Sequence, residues 1–454
     1  MHHGDSSSFF RKPTDEFYHF ALNYRFNDDN YLTFSSIEQK RTEELVQECF
    51  NAFNDEQQVE YTVPQLLREE HAKYLRSGIE QLHSGYASLD ASRTWIVYWI
   101  VQSLELLQEP LSIETSKKII AFLKTCQSPT GGFGGGPGQM AHLATTYAAV
   151  MALCIVGTEE AYQAIDRPAL LSFLNLMKQP DGSFSMHEDG EIDIRGAYCA
   201  AAVARITNIY NEKLFDKTAE WMIGCQTYEG GFSASPGCEA HGGYTFCGIA
   251  GLALLGREKL CHAPSVKKWL VSRQMQFEGG FNGRTNKLVD GCYSFWQAAS
   301  FQIVNQFEIA TGSSTSKFSF DRRALQNYIL LCCQHPYGGL IDKPGKNRDY
   351  YHTCYTLSGL SIAQHFDTEE EEPFVVGSSK NLLEKTHPVF NISFKKQKLA
   401  NDYFSQFSEK GFDSQKTKII NLIHINYFIF VYNRAFLRRL YGDATTGSEP
   451  APYS

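Results

Sequence analysis

At 454 residues, with 43% hydrophobic and 20% charged side chains, the chain is long enough for one large globular domain or two or three ordinary ones. A net charge of −8 argues against general nucleic-acid or anionic-membrane binding, which needs a basic surface, but leaves room for a local cationic pocket. Stable membrane insertion is not expected, because no run reaches the roughly 18 apolar residues of a spanning helix.

The opening, MHHGDSSSFFRK, has no signal-peptide apolar region. Several of the twelve cysteines (Cys154, Cys199, Cys247, Cys332, Cys333) fall in apolar helical runs. Reduced thiols in a cytoplasmic protein are therefore expected rather than a disulfide framework. Residues 1–60 are polar and read as a peripheral segment. From residue 61 to 405 a repeat takes over. Turns rich in glycine end at Phe133, Phe184, Phe232, Phe281 and Leu340, a period of about fifty that marks a repeat architecture. Before each turn lies an amphipathic segment, as in Leu170, Leu171, Phe173, Leu174 and Met177, spaced for a helix with one wet face. After each turn comes a segment rich in small residues and apolar on nearly all sides, such as TTYAAVMALCIVG or YTFCGIAGLALLG. Such a helix belongs in an interior. Strand-like alternation is absent. The predicted fold is all-α: about six helical hairpins closing into an α/α barrel, or toroid, with outer and inner rings. The segment from Leu89 to Leu107 supplies one flanking inner helix, and Thr386 to Ile392 opens a last one. Residues 366–380, with the acid run Glu369 to Glu372, read as a loop. Residues 406–454 depart from the pattern. Their apolar run Ile419 to Tyr432 is short and broken by polar residues, and the final GDATTGSEPAPYS is expected to be partly disordered.

A tyrosine follows each turn by twelve to fifteen residues: Tyr147, Tyr198, Tyr244, Tyr293 and Tyr355. Three positions before it stand Ala144, Arg195, His241, Asp290 and His352. If that is one address repeated, these polar side chains share one space at the mouth of the ring. Asp290, Cys292 and His352 offer an oxygen, a sulfur and a nitrogen, three zinc ligands with a fourth position open. The alternative is a capping aspartate, a buried thiol and a pocket histidine that hold no metal. Cys354, taken as the repeat equivalent of Cys292, reads as a buried thiol. His241, Arg284, Lys287 and Tyr293 combine two cations with two hydrogen-bond donors, a set suited to an oligophosphate. Arg284 and Lys287 share one face if they are helical; the alternative is a solvated basic turn. Trp95, Trp99, Tyr198, Tyr244, Trp296 and Tyr351 sit near inner-helix starts and suit the walls of an apolar pocket, unless they are simply core. The GGFGGGPG run lacks the Lys-Ser/Thr of a nucleotide phosphate loop. QPDGSF is similar to a terpene-cyclase repeat, but the clustered aspartates of those enzymes are missing.

With these residues collected, the chain resembles the β subunits of protein prenyltransferases, closest to the farnesyl-transferring members. The resemblance covers roughly residues 60–395 and is carried by LDASRTWIVYWI, CQSPTGGFGGGPGQ, EAHGGYTFCG, EGGFNGRTNKLVDGCYSFWQA and DKPGKNRDYYHTCYTLSGLSIAQHF. It implies an α/α barrel and zinc held by Asp290, Cys292 and His352. It also implies a diphosphate held by His241, Gly242, Gly243, Arg284, Lys287 and Tyr293. Arg195, Tyr198, Tyr244, Cys247 and Trp296 match the isoprenoid wall, and Trp95, Trp99, Tyr351 and Tyr355 match surfaces for lipid length and acceptor peptide. Asp342 matches an aspartate linked to Mg²⁺ use. The implied activity is zinc-dependent farnesyl transfer from farnesyl diphosphate to the cysteine of a C-terminal CaaX motif, in a heterodimer with an α subunit. Geranylgeranyl transfer and a non-catalytic helical-ring binding protein are the alternatives.

Overall fold

The structure is a computed structural model that describes residues 25–59, 63–310, 320–366 and 372–407. The N-terminal residues 1–24, most of the acid run and nearly all of the tail lie outside the described residues.

In chain order the helices are α1 (Phe34–Val59), α2 (Arg68–Glu80), α3 (Arg93–Leu106), α4 (Ile113–Cys126), α5 (Leu143–Val156), α6 (Glu159–Gln163), α7 (Arg167–Met177) and α8 (Ile194–Ile206). They continue with α9 (Thr218–Gly224), α10 (Gly242–Leu255), α11 (Ala263–Val271), α12 (Tyr293–Ala310), α13 (Arg322–Cys332), α14 (Tyr350–Gln364) and α15 (Phe394–Phe404). Packing between α3, α5, α8, α10, α12 and α14 runs from each to the next and returns from α14 to α3. The inner ring is closed. Their composition explains the placement: every described α5 side chain except Ala144 is buried, and α10 is nearly the same. Small residues let inner helices approach, as where Gly359 of α14 faces Ser294 of α12. The outer helices α2, α4, α7, α9 and α11 bury only one stripe, as α7 does with Leu170, Phe173, Leu174 and Met177, whereas α13 is buried on nearly all sides because α1 packs over it.

The turns lock the two rings together. Gly131, Gly182, Gly230, Gly279 and Gly338 all have positive φ, and a Cβ on any of them would strike a backbone carbonyl of the following hairpin: Ala169, Lys217, Ser265, Ala324 and, for Gly338, Glu70. Glycine is required on both counts. The last of these contacts is with α2, so the turn layer closes on itself as the inner ring does. Each turn is pinned by an isolated antiparallel bridge, Gln127 to Phe133 being the first and Gln334 to Leu340 the last. Among the described residues there are no longer strands.

Two segments complete the barrel. Helix α1 packs outside against α13, burying Val46 and Phe50. The 386–392 segment, expected to open an inner helix, does not. It is an extended turn closed by a Thr386–Ser393 bridge, and the following α15 packs outside, against α5, α6 and α8. The hydroxyls of Tyr98, Tyr147 and Tyr198 donate to the carbonyls of Asn391 (2.7 Å), Phe390 (2.8 Å) and Val389 (2.8 Å). A helix would have used those carbonyls internally; here they satisfy three buried phenols.

Candidate functional site

The repeat fixes a polar group at the start of five of the six inner helices, α3 excepted. Counted from the turn, the ninth residue is His142, Asp193, His241, Asp290 and Asp349. In each case its side chain accepts a backbone N–H of the first turn: Ala144 onto His142 Nδ1 (3.1 Å), Arg195 onto Asp193 Oδ1 (2.9 Å), Gly243 onto His241 Nδ1 (3.1 Å), Cys292 onto Asp290 Oδ1 (2.8 Å) and His352 onto Asp349 Oδ1 (2.7 Å). These are N-caps. The tyrosine-based address expected from sequence is therefore out of register. His241 and Asp290 are equivalent, but Ala144 and Arg195 lie two residues past the cap, and His352 lies three past it. Nor is Cys354 the equivalent of Cys292: it sits deeper in α14, fully buried, and its thiol is pushed up by that burial.

Despite the corrected register, Asp290, Cys292 and His352 converge. Their ligand atoms lie within 4.8 Å of one another. Asp290 reaches His352 Nε2 at 3.3 Å while its Oδ1 accepts the Cys292 N–H in the turn before α12. Burial, with the Asp290 charge beside it, pushes the Cys292 thiol up; a cation placed among the three would reverse that. Burial also works against a charged His352, but hydrogen bonds to Asp290 and Asp349 outweigh it and draw a proton to the ring. His352 Nδ1 lies 2.7 Å from Asp349 Oδ2. With Nδ1–H donated to that carboxylate, a cation that replaced the second ring proton would meet an Nε2 lone pair facing Asp290 and Cys292. Asp349 was missed in the sequence, although an aspartate three residues before a candidate ligand histidine was a readable sign.

The second group lies across the α10–α12 boundary. Tyr293 Oη and His241 Nε2 are 2.9 Å apart. His241 Nδ1 accepts from Gly243, so the proton is on Nε2 and donates to Tyr293. Tyr293 is thereby left with its own hydroxyl hydrogen for a ligand oxygen. Burial and the nearby Arg284 charge hold the His241 pKa below its usual value, consistent with that neutral tautomer. Gly242 donates to Gly283 O (2.8 Å), joining the two loops; a Cβ on Gly242 would collide with Gln297. Arg284 and Lys287 are not helical. They close a turn, Lys287 N–H to Arg284 O at 3.3 Å, with Asn286 at φ 60°. Lys287 is exposed, and Arg284 Nη1 is held by Glu239 at 2.6 Å, another partner not foreseen. Arg195 is forked onto Asp193 (2.9 and 2.6 Å). Both oxygens of Asp342 accept from Lys343 Nζ, each at 2.5 Å, so a divalent ion there would have to displace that ammonium.

The aromatic residues form a closed belt. Ring centroids run from Trp95 to Tyr147 (5.7 Å), Tyr198 (5.5 Å), Phe246 (5.3 Å), Trp296 (5.1 Å) and Tyr355 (4.3 Å). They return through Tyr351 (4.9 Å) and Trp99 (5.5 Å) to Trp95 (5.8 Å). Trp296 Nε1 donates to Tyr351 Oη (3.3 Å). Tyr244 stands outside the belt, 5.1 Å from the His241 ring. Cys247 is buried among the α10 core. Tyr147 and Phe246 were not singled out as wall residues, because only ring closure brings them to it.

A closed helical toroid with a metal-competent mouth and an aromatic lumen defines the class, and residues 66–392 match the family described as "Prenyltransferase alpha-alpha toroid domain". The chain is 41% identical over 375 residues to protein farnesyltransferase subunit beta of Pisum sativum, covering 69% of this chain and 89% of the relative. It is 42% identical over 351 residues to the same subunit of Schizosaccharomyces pombe, covering 75% and 92%. Among solved structures, protein geranylgeranyltransferase-I of Candida albicans complexed with GGPP matches with a TM-score of 0.61 at 24% identity, covering 75% of this chain and 99% of that one; this supports the fold alone. The chain belongs to the protein farnesyltransferase β-subunit family, within the prenyltransferase toroids. No helix among the described residues is long and apolar enough to cross a membrane.

Proposed function

We propose that this chain is the catalytic β subunit of a zinc-dependent farnesyltransferase acting on C-terminal CaaX cysteines, working with an α subunit. Residues 61–405 are its catalytic unit, with α1 a buttress and the tail no part of the chemistry. The observation that carries the reading is the convergence of Asp290, Cys292 and His352 beside the aromatic belt and the His241–Tyr293–Arg284 group. Three protein donors, an oxygen, a thiol and an imidazole, fit catalytic zinc, which takes its fourth ligand from water or substrate. When bound, the ion supplies a position that keeps the acceptor cysteine as a nucleophilic thiolate.

The chain's own residues do the rest. Asp349 orients His352. The belt binds the isoprenoid, with Tyr198 and Trp296 in its wall, Cys247 behind it in the α10 core, Tyr244 beside His241 and Arg195 on Asp193 outside it, and Trp99 and Tyr351 toward the peptide. His241 orients Tyr293, whose hydroxyl donates to a diphosphate oxygen, while Arg284 and Lys287 offset the charge that grows as diphosphate leaves C1. Gly242 and Gly243 let the loops carrying these groups approach. Asp342 is held by Lys343, and Mg²⁺ use through it requires that ammonium to move. Farnesyl is favoured over geranylgeranyl by bulk in the belt: Trp95 and Tyr355 lie in unbroken ring contact with their neighbours and leave little depth for a longer chain.

The test is prenyl transfer to a CaaX peptide after co-expression with an α subunit, with farnesyl and geranylgeranyl diphosphate in competition. About one zinc per heterodimer, lost in Cys292→Ala, is expected; an intact complex without zinc overturns the proposal.

A further inference from the structure

The five repeats share a second address, at the end of each outer helix. Its carbonyl accepts the N–H of the residue just past the turn: Gly134 onto Cys126 (2.9 Å), Ser185 onto Met177 (3.0 Å), Ser233 onto Cys225 (2.9 Å), Asn282 onto Arg273 (2.9 Å) and Ile341 onto Cys333 (2.8 Å). Four of the five are sulfur-bearing core residues, each no more than 2% exposed. The fifth is an arginine, only 6% exposed. It occurs in the repeat that carries Arg284, Lys287, Asp290, Cys292 and Tyr293.

This arginine is poorly compensated. Its guanidinium lies over the Trp269 ring at 5.1 Å, and Nη1 donates to Thr285 Oγ1 at 3.2 Å. Its Nε is buried without a hydrogen-bond partner. Among the described residues no carboxylate stands within ion-pair distance of it; Glu229 and Glu239 act on it only through longer-range charge, and Glu239 is bonded to Arg284. Burying a cation without a counter-charge is costly, and here it lies beneath a turn bearing two more cations. Such an arrangement is tolerable where an anion completes it.

We infer that Arg273 is a positioning residue for the anionic head of the isoprenoid substrate: it pins the 284–287 turn through Thr285 and sets a permanent positive charge behind it. The inference rests on the diphosphate site proposed above. Arg273 need not touch the ligand. Its charge makes the turn's cations dependent on a bound diphosphate, while Thr285 keeps Arg284 beside Tyr293.

The test uses the αβ heterodimer and measures affinity for farnesyl diphosphate and for inorganic pyrophosphate, with bound zinc, melting temperature and the KM for acceptor peptide. Arg273→Met restores the residue found at position 177. It should keep zinc, peptide KM and melting temperature while weakening both diphosphate ligands about tenfold, or about 1.4 kcal/mol. Arg273→Lys should recover part of the loss, and Thr285→Val should show a smaller one. A folded Arg273→Met complex with unchanged diphosphate affinity overturns the inference. Should that variant not fold, Thr285→Val with wild-type affinity overturns it instead. A wild-type heterodimer that binds neither ligand refutes the underlying diphosphate site, and this role with it.

Discussion

Replacing Asp349 separates two jobs that one carboxylate performs. Oδ1 caps α14 by accepting the His352 N–H, and Oδ2 holds the His352 ring, both at 2.7 Å. Asparagine has one oxygen, enough for the cap. Its amide nitrogen would then face His352 Nδ1 and favour the tautomer in which Nδ1 accepts and Nε2 carries the proton. That removes the lone pair directed at Asp290 and Cys292. Loss of such a partner typically costs 10–100-fold in metal affinity, so Asp349→Asn should weaken zinc binding by about that factor with little change in melting temperature. Asp349→Ala loses the cap as well, about 1 kcal/mol of stability, and should show both effects. Chelator competition on the purified heterodimer measures the first, and thermal unfolding the second. Wild-type zinc affinity in Asp349→Asn would falsify the orienting role, whatever its activity.

Arg284→Ala combined with Lys287→Ala should weaken farnesyl diphosphate binding by about 100-fold or more, since hydrogen bonds to charged groups are each worth about 1.5–3 kcal/mol. Zinc content should be unchanged; loss of metal with diphosphate binding retained would reverse the division of roles. Gly283→Ala places a methyl against the Tyr293 ring and should displace it from His241, lowering kcat more than zinc content. If kcat is unchanged, Tyr293 does not serve the leaving group. His71 is fully buried, accepts from Gly339 at Nδ1 (2.9 Å) and lies 2.9 Å from Gln334 Oε1 through Nε2. Burial lowers its pKa to about 4. A depressed histidine favours folding above its unfolded value of about 6.5 and loses that contribution as pH falls through 4, up to about 3 kcal/mol. Unfolding of wild type and His71→Gln should therefore converge between pH 6.5 and 4; parallel curves would contradict this.

Much of the barrel was legible because its period is written in glycines. A positive-φ turn that packs against a backbone carbonyl tolerates nothing else, so Gly131, Gly182, Gly230, Gly279 and Gly338 announce each hairpin. Small apolar residues on all sides of α5 and α10 announce the inner ring. The segment 386–392 misled for a related reason. Its apolar residues fit an inner-helix start, but their carbonyls are claimed by Tyr98, Tyr147 and Tyr198, partners roughly 190 to 290 residues away.

The candidate site divides the same way. Sequence alone determined the chemistry on offer: an aspartate, a thiol and an imidazole for a metal, two cations and two donors for an anion, and aromatics for an apolar chain. Side-chain type is local. Register is not. Whether a residue sits nine or twelve positions past a turn decides if it caps a helix or projects beyond it, and that count is fixed by the bridge and hydrogen bonds of the folded turn. Hence only the tertiary structure could assign Glu239 to Arg284 and Arg273 to the core address of its repeat, whereas Asp349, three residues before His352, was within reach of the sequence. It also set Phe246 and Tyr147 in the wall, because the belt exists only once α14 has closed on α3.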